Sequence, residues 1–405
     1  MLARTFRFTI DILRGWISVK IGVVGLGKAG LPLASVVADS GLEVIGIDID
    51  ERRCEMINKG VNPIPEEAGL DALISRCGGK TLVATPRYED ARECTNFIVI
   101  VPLFIDNGHR PDYSILEDAF RNVGRILKRG DLVVLETTVP PTTTETSVRD
   151  WLEEESGLLL GDFRLAYSPE RIMTGYSISR LREFPKIVGG VDELSGVQAF
   201  ELYGKFIPNL QKVSSSRVAE LVKIIEGSYR DVNIALANEI FKIAEELEID
   251  FYEARDYANH EYCHIHLPST GVGGHCIPVY PWFLINEMEK REKFGFAELQ
   301  RTSRKINDEM VGHWAEKIIL RALKIDRPLS QVKICLKGIT YRKGVKGLYH
   351  SRNLALAKLL AQKDLHVGVY DELFSKEEIE VLGLRFMNPD GADLVFDCFE
   401  LSFSR

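Results

Sequence analysis

The chain alternates short apolar segments with longer amphipathic ones, which is the pattern of an α/β protein. After the first eighteen residues, apolar runs that are typical of buried strands occur at 19–24, 43–47, 96–101, 131–135, 163–167 and 186–189. Helix-like segments separate these runs, as a parallel sheet covered on both faces requires. We therefore predict a parallel sheet with helical crossovers from residue 19 to about residue 212.

The pattern changes between Ser214 and Leu247, where apolar residues recur at helical spacing. Gly227 is the one strong break in this stretch. A helix of about 30 residues would be about 45 Å long, which is more than a small domain needs. The pattern indicates a spine between domains or a dimer interface.

A second α/β region follows, with predicted strands at 332–336, 366–370 and 393–396 and a helix around 353–362. The chain stops soon after the last strand, so this region looks short. We expect an N-terminal extension at 1–18, a nucleotide-binding domain at 19–212, a central helical domain at 213–312 and a short C-terminal α/β domain at 313–405.

Composition narrows the class of protein. The 405 residues exceed one hydrophobic core, and 45% hydrophobic with 27% charged residues excludes disorder. The net charge of −8 argues against a nucleic-acid surface. No apolar run reaches the ~20 residues of a membrane span, and charges interrupt the first eighteen residues. The seven cysteines show no C-x-x-C spacing, which suits a reducing compartment. We expect a soluble, cytoplasmic protein without a membrane partner.

A glycine motif directly follows the first predicted strand. Gly25 permits a tight turn, Gly27 lets backbone approach a pyrophosphate, and Gly30 allows close helix packing. Asp48 ends the second strand, where it can accept hydrogen bonds from an adenosine ribose and would repel a 2′-phosphate. The interpretation is a Rossmann-type domain that binds NAD rather than NADP. The alternative is a nonbinding turn beside a helix capped by Asp50.

The most unusual segment is Gly271-Val-Gly-Gly-His-Cys276. Its three glycines would let backbone lie close to a ligand, and a cysteine follows at once. Taken alone, Cys276 is either a nucleophile or a small buried hydrophobe. Five neighbouring residues invite a metal interpretation, but their spacing matches no usual zinc signature, and no metal is expected: His260, Cys263, His264, His266 and His275.

Several motifs together resemble the UDP-glucose/GDP-mannose dehydrogenase family, in particular its branch that acts on UDP-N-acetylhexosamines. They occur in the family's order over about residues 19–310, and Gly338-Ile-Thr-Tyr-Arg342 matches more loosely. Besides the glycine motif, the matching segments are GVGGHCIP at 271–278, RDVNIALANE at 230–239, SPER at 168–171 and ETTVP at 136–140.

The resemblance implies oxidation of the C6 alcohol of a nucleotide sugar to a carboxylate by two NAD-dependent hydride transfers. UDP-N-acetyl-D-mannosamine is the expected substrate, for polysaccharide or glycan biosynthesis. Cys276 would form a thiohemiacetal and then a thioester, which water cleaves. Lys223 would stabilise the oxyanion, while Glu170 and Thr138 would handle the water.

The resemblance also implies binding residues and a homodimer or higher oligomer. NAD would contact the glycine motif, Asp48 and Arg53. The UDP-sugar would contact Arg230, Asn233, Gly273 and Arg342, since arginine suits phosphate geometry. The spacing of Arg230, Asn233 and Asn238 does not place all three on one helical face. At least one of these three is therefore expected to be structural.

Several positions depart from the family pattern. Gly227 stands where the family has Asn, and Tyr280 where it has Asp. Tyr262 aligns with an arginine, and the D-D-x-R-x-S run reads 346-KGLYHS-351, with Tyr349 in place of its arginine. A neutral tyrosine cannot replace a carboxylate as a charged base. We therefore expect slow hydrolysis of the thioester, and Lys343, Lys346 or Arg352 could replace the lost cationic contact.

Two other functions stay open at this point. A noncatalytic descendant would bind NAD or a UDP-sugar and act through its partners. A single-step hydroxyacid or 6-phosphogluconate-type dehydrogenase would share the glycine motif and the long helix. The second alternative leaves the cysteine loop unexplained.

Overall fold

The computed structural model describes residues 19–172, 175–363 and 365–404, which form two compact units that divide between Lys223 and Ile224. The expected extension at 1–18 lies outside the described residues. The mixed α/β class expected from the sequence is confirmed. The three predicted domain boundaries remain a prediction.

Within the described residues, the first unit contains an eight-stranded sheet in the order β10-β9-β8-β7-β4-β1-β2-β3. Its strands are β1 Lys20–Val24, β2 Glu43–Ile47, β3 Leu82–Thr85, β4 Asn96–Val99, β7 Leu132–Leu135, β8 Arg164–Tyr167, β9 Lys186–Gly190 and β10 Leu210–Lys212. A separate hairpin pairs β5 Phe104–Ile105 with β6 Pro111–Asp112.

Helices cover both faces of this sheet. They are α1 Gly30–Asp39, α2 Glu51–Asn58, α3 Leu70–Cys77, α4 Ser114–Ile126, α5 Arg149–Ser156, α6 Ser177–Glu183 and α7 Glu193–Tyr203. Two apolar clusters form the core, one around Leu31 and Ile98 and the other around Phe97 and Phe120. Strands with both faces buried therefore appear in the sequence as continuous apolar runs.

The expectation of a wholly parallel sheet is wrong at one junction. β9 pairs with β8 in the antiparallel direction, with Tyr167 opposite Gly189, and β10 then runs parallel to β9. A parallel pairing requires a crossover that returns the chain to its starting end. Here the intervening helix α6 packs against α1, and the chain re-enters the sheet from the opposite end.

The long helix α8 spans Ser216–Glu246, close to the predicted 214–247, and it crosses the division between the units. The second unit continues with α9 Phe251–Ala258, α10 Tyr280–Lys290 and α11 Glu298–Ala322. Its sheet has the order β12-β11-β13-β14. The remaining elements are β11 Lys333–Lys337, α12 Arg352–Ala361, β12 His366–Tyr370, α13 Lys376–Val381, β13 Leu394–Asp397 and β14 Ser402–Ser404.

The second unit has its own core. Trp314 of α11 is 1% exposed and packs its ring against Phe241 of α8 and Phe396 of β13. Aromatic packing of this kind joins the helices to the sheet. In the part of the chain that the structure describes, no helix has the length and apolar character needed to cross a membrane.

Candidate active site

The glycine motif forms a tight turn between β1 and α1. Gly25 has φ +93°, and a Cβ there would lie 2.5 Å from the Ile100 oxygen. A Cβ on Gly30 would lie 2.8 Å from Ile100 Cγ2 and closer still to the Gly25 oxygen. Gly27 has nothing within 4 Å of the Cβ position, so its backbone faces open space. This geometry fits a pyrophosphate at the start of a helix.

Asp48 lies beside this turn and is 8% exposed. Its carboxylate accepts hydrogen bonds from the Leu26 N–H at 2.8 Å, the Asp50 N–H at 3.0 Å and Arg53 Nη1 at 2.9 Å. Asp50 caps α2 by accepting from the Arg53 N–H, as the alternative interpretation expected. Both features are therefore present, and an acceptor stands where an NAD ribose would need one.

Two of the predicted catalytic residues lie side by side in the first unit. Lys223 Nζ is 3.8 Å from Glu170 Oε2, and their side chains are 10% and 18% exposed. The other Glu170 oxygen accepts from the Ile172 N–H. Thr138 lies half-buried in the segment that follows β7. A lysine and a carboxylate held this close can stabilise an oxyanion and accept a proton.

The ETTVP motif is anchored by a buried ion pair. Glu136 Oε2 is 2.7 Å from Lys186 Nζ, and these side chains are 1% and 5% exposed. The Tyr203 hydroxyl donates to the other Glu136 oxygen. Removing one partner of such a pair would leave an uncompensated buried charge. Glu136 therefore has a structural role at the end of β7.

Sequence reasoning missed Glu220, which is fully buried in α8. It accepts from the Thr142 N–H at 2.6 Å, the Thr144 N–H at 2.8 Å and the Thr144 hydroxyl at 2.6 Å. Thr142 has φ +81°, which is strained for a β-branched residue. Burial raises the Glu220 pKa to about 7, and the hydrogen bonds from Thr144 and Thr142 oppose this rise. Glu220 thus holds the loop after Thr138 against α8, one turn before Lys223.

The predicted nucleophile lies in the second unit. Cys276 is exposed, whereas five other cysteines are buried and Cys263 is half-buried. The interpretation of Cys276 as a small buried hydrophobe is therefore wrong. Burial raises the pKa of Cys94 and of Cys335 to about 12, so those thiols stay protonated at neutral pH.

The glycines of the cysteine loop permit close approach to protein rather than only to a ligand. A Cβ on Gly271 would lie 2.5 Å from the Asn307 oxygen, and one on Gly273 would lie 2.8 Å from the His350 oxygen. Tyr341 Cβ is 2.9 Å from that same Gly273 position. The loop is therefore packed against the segment that precedes α12.

A partly buried polar network holds this loop. Arg352 Nε donates to the Val272 carbonyl at 3.2 Å, and its guanidinium also pairs with Asp308. Arg304 also pairs with Asp308 and is 2.6 Å from Asp231, with Arg304 and Asp231 at 2% and 0% exposure. Arg352, considered above as a substitute phosphate contact, is thus engaged by protein. The i, i+4 spacing of Arg304 and Asp308 was the available sequence signal.

The predicted substrate residues differ in exposure and in their contacts with the protein. Asn233 donates to the His264 carbonyl at 2.9 Å and accepts from the His266 N–H at 3.0 Å, so it holds a loop. Asn238 is buried and donates to Asn307 at 2.9 Å, which makes it the expected structural member of the three. Arg230 is exposed on α8, and Arg342 is half-buried before α12.

The structure shows the surroundings of two positions that depart from the family pattern, Tyr349 and Tyr262. The ring of Tyr349 stacks on His275, the residue before the cysteine, at 3.6 Å between centroids and an interplanar angle of 10°. Tyr262 is 89% exposed. Among the described residues no group of three or more His, Cys, Asp and Glu side chains is arranged to hold a metal.

The fold and the first-unit site define an NAD-binding oxidoreductase of the Rossmann type. The model of the UDP-glucose/GDP-mannose dehydrogenase family, NAD binding domain, matches residues 19–207. The model of the same family's central domain matches residues 217–309. The chain belongs to the UDP-glucose/GDP-mannose dehydrogenase family. The expected cofactor, NAD, and the expected class, an NAD-dependent nucleotide-sugar dehydrogenase, are confirmed.

The chain is similar to several dehydrogenases over most of its length. The chain is 38% identical to the UDP-N-acetyl-D-mannosamine dehydrogenase of Pyrococcus horikoshii, over 87% of this chain and 83% of that relative. It is 36% identical to the enzyme of that name from Methanococcus aeolicus, over 87% and 78%. The solved structure of the Pyrococcus horikoshii UDP-D-ManNAc dehydrogenase matches with a TM-score of 0.83 and 34% identity, over 94% of this chain and 89% of that one.

Proposed function

We propose that this chain oxidises the C6 alcohol of a UDP-N-acetylhexosamine to the uronate, with UDP-N-acetyl-D-mannosamine as its substrate. The observation that carries the proposal is the exposure of Cys276, since five of the other six thiols are buried. Family membership and the names of the relatives support the nucleotide-sugar substrate. Two NAD molecules, bound in turn, would each accept one hydride for each acid formed.

Cys276 would act after the first oxidation. Its thiolate attacks the aldehyde carbon, a C–S bond forms, and the carbonyl oxygen becomes an oxyanion. Loss of the C6 hydrogen as hydride then leaves a thioester. Water attacks this thioester, the C–S bond breaks, and the carboxylate and the thiol are released. Lys223 would stabilise the oxyanion because an ammonium in a largely buried position acts strongly on developing charge.

Glu170 and Thr138 would prepare the water. A carboxylate can accept the proton that water loses on attack, and a hydroxyl can orient that water. The 3.8 Å approach of Lys223 Nζ to Glu170 supports this role, because it places the acceptor carboxylate beside the cation that would stabilise the oxyanion. The loop that follows Thr138 is tied to α8 through Glu220, which supports a defined position for it.

We assign binding as follows. Gly25, Gly27 and Gly30 would cradle the NAD pyrophosphate, and Asp48 with Arg53 would contact its adenosine ribose. The nucleotide sugar would contact Arg230, Asn233, Gly273 and Arg342. The uronate product would serve polysaccharide or glycan biosynthesis in the cytoplasm. The domain boundaries near residues 212 and 312 belong to the same proposal.

We also propose that α8 pairs with a second copy of the chain. Its exposed apolar side chains recur every three or four residues along most of the helix, which is the spacing of a helix-packing face. A helix face of this length is costly to leave in water. The exposed residues are Val218, Leu221, Ile225, Tyr229, Leu236, Ile240 and Ile243, followed by Leu247 just past the helix end.

The proposed function is tested by following NADH formation with UDP-N-acetylmannosamine, UDP-N-acetylglucosamine and UDP-glucose. We expect two NADH per acid with the first sugar, and no acid from Cys276→Ser. Cys263→Ser is the matched control, because Cys263 is half-buried and lies outside the glycine loop. If acid formation survives Cys276→Ser, the cysteine mechanism is wrong.

The substitutions at Gly227 and Tyr280 favour a second candidate, a protein that binds NAD and a UDP-sugar with slow or no turnover. It predicts a burst of up to about two NADH per Cys276 followed by slow release, or binding without any NADH. Steady turnover from the first second would exclude this candidate.

A further inference from the structure

Gly227 and Tyr280, two departures from the family pattern, lie against each other. Gly227 is buried in α8, and a Cβ built there would lie 3.1 Å from Tyr280 Cγ and 3.2 Å from Tyr280 Cβ. The ring carbon Cδ2 is closer still. Ordinary contacts between carbons are about 3.5–4.0 Å. No side chain therefore fits at 227 while the ring keeps this position.

The ring also has a buried aromatic neighbour. Tyr280 is 6% exposed, and its ring packs on that of Phe283 with centroids 5.9 Å apart and 29° between the planes. Phe283 is itself 1% exposed. Interiors are close-packed, so a ring enclosed in this way cannot turn aside without moving its neighbours. It acts as a fixed spacer between α8 and α10.

The same tyrosine is tied to the nucleophile through the backbone. Tyr280 begins α10, and its N–H donates to the Cys276 carbonyl at 3.0 Å. The Val279 N–H donates to the same carbonyl at 3.1 Å. Cys276 thus belongs to the turn that opens α10. The contact between the Tyr280 ring and Gly227 therefore sets the distance between this turn and α8.

We propose that Tyr280 is a positioning residue for Cys276 and that Gly227 provides the space that the Tyr280 ring requires. The inference rests on the proposed function, because positioning matters for catalysis only if Cys276 is the nucleophile. The two departures are then one exchange rather than two separate losses. The side chain absent at 227 makes room for the ring present at 280.

The test is a double-mutant cycle that combines Gly227→Ala with Tyr280→Leu. Gly227→Ala should lower the rate constant of the NADH burst about 10- to 100-fold, since a shift of about 1 Å at a nucleophile costs that much. The KM for NAD should change less than about twofold. Gly312→Ala is the matched control, because Gly312 also lies within a helix of the second unit but has open space at its Cβ position.

The second variant should rescue the first. Tyr280→Leu removes the ring edge, so the double variant should recover about tenfold of the burst rate lost in Gly227→Ala. Tyr280→Phe keeps the ring and should stay within about threefold of the parent. The proposal is overturned if Gly227→Ala behaves as Gly312→Ala does, or if the two effects are additive.

Alkylation of Cys276 by iodoacetamide, followed by peptide mass spectrometry, separates this proposal from the proposed function. Gly227→Ala and Tyr280→Leu should each shift the pH profile of alkylation by about half a unit or more, because the surroundings of the thiol change. Tyr280→Leu relieves rather than adds bulk, so it gives a reading even if Gly227→Ala does not fold. Unchanged profiles overturn the positioning role; shifted profiles without NADH formation overturn only the proposed function.

Discussion

The two α/β sheets of the molecule repeat one arrangement at the carboxyl end of their first strand. In the first unit, Gly25 has φ +93° and the next N–H, of Leu26, donates to Asp48 at 2.8 Å. In the second unit, Gly338 has φ +91° and the next N–H, of Ile339, donates to Asp371 at 2.8 Å. The acid ends or directly follows the neighbouring strand in both cases.

The segments that follow these glycines differ. α1 begins at Gly30, five residues after Gly25, and the backbone at Gly27 faces open space. α12 begins at Arg352, fourteen residues after Gly338, and the longer segment packs on the cysteine loop. The ring of Phe399 also lies where a Cβ on Gly338 would stand. The same strand-end geometry can therefore serve a cofactor in one unit and support the cysteine loop in the other.

We expect the greatest loss of NAD binding from Gly30→Ala, at the start of α1. The added Cβ would overlap the Gly25 oxygen, so we expect NAD binding to weaken more than about 100-fold and stability to fall by about 1–3 kcal/mol. Calorimetric titration with NAD measures the first effect. Gly204→Ala, at an ordinary φ of −60° after α7, should bind NAD within about twofold of the parent. If Gly30→Ala binds NAD with the parental affinity, the glycine motif does not hold the NAD pyrophosphate.

The anchor of the loop after Thr138 should make the stability of the first unit depend on pH. Glu220 holds the loop after Thr138, and its folded-state pKa of about 7 lies above its unfolded value near 4.5. The folded state then binds more protons than the unfolded state between these values, so stability falls as pH rises through this window. The loss attributable to Glu220 is up to about 3 kcal/mol.

Glu220→Gln should flatten this dependence, because the amide does not titrate. It should also cost about 1–3 kcal/mol at pH 5, since the amide nitrogen, unlike the hydroxyl oxygen of the protonated acid, cannot accept from Thr142 or Thr144. Urea unfolding at pH 5, 6, 7 and 8 measures both effects. Glu55→Gln, an exposed member of the pair with Lys59, is the control and should keep the parental pH dependence.

Asp48 and Asp371, which occupy equivalent places in the two units, should differ in their effect on NAD binding. Asp48→Asn should weaken NAD binding about 10- to 100-fold, because the acceptor for the ribose becomes part donor. Asp371→Asn should leave NAD affinity within about twofold and lower stability by about 1–3 kcal/mol, since it accepts from Ile339 and Leu373. Equal losses of NAD affinity in both variants would mean that the strand ends at Asp48 and Asp371 do not differ in their role in NAD binding.

The smallest effect is expected at Arg352→Ala. This variant loses the contact with the Val272 carbonyl and the pair with Asp308, so the cysteine loop becomes less fixed. We expect the NADH burst to slow about tenfold with NAD affinity unchanged. Stopped-flow absorbance measures the burst. A change confined to NAD affinity would place Arg352 with the cofactor instead.

Much of the fold follows from local patterns. The strands Glu43–Ile47 and His366–Tyr370 have the predicted bounds, because continuous apolar residues flanked by turns mark a buried strand. The long helix was predicted within two residues at each end. The reversed strand β9 was not predictable, since an apolar run has the same appearance in either direction.

The candidate site also has a part that the sequence predicts and a part that it does not. The glycine motif and Asp48 are close in sequence, and a strand, turn and helix suffice to bring them together. The contacts of Glu220 with Thr142 and of Tyr280 with Gly227 join residues more than fifty positions apart. Periodicity shows which side chains point inward but not which partners they meet. Those contacts therefore had to be read from the structure.

The proposed mechanism requires Cys276 to carry the sugar as a thioester. Acid quenching within the first turnover with UDP-N-acetylmannosamine and NAD, followed by mass spectrometry of the peptide that contains Cys276, tests it directly. We predict a transient adduct with the mass of the uronyl group on this sulfur, absent from Cys276→Ser. Acid formation at the parental rate with an unmodified peptide at every time point would exclude the thioester intermediate.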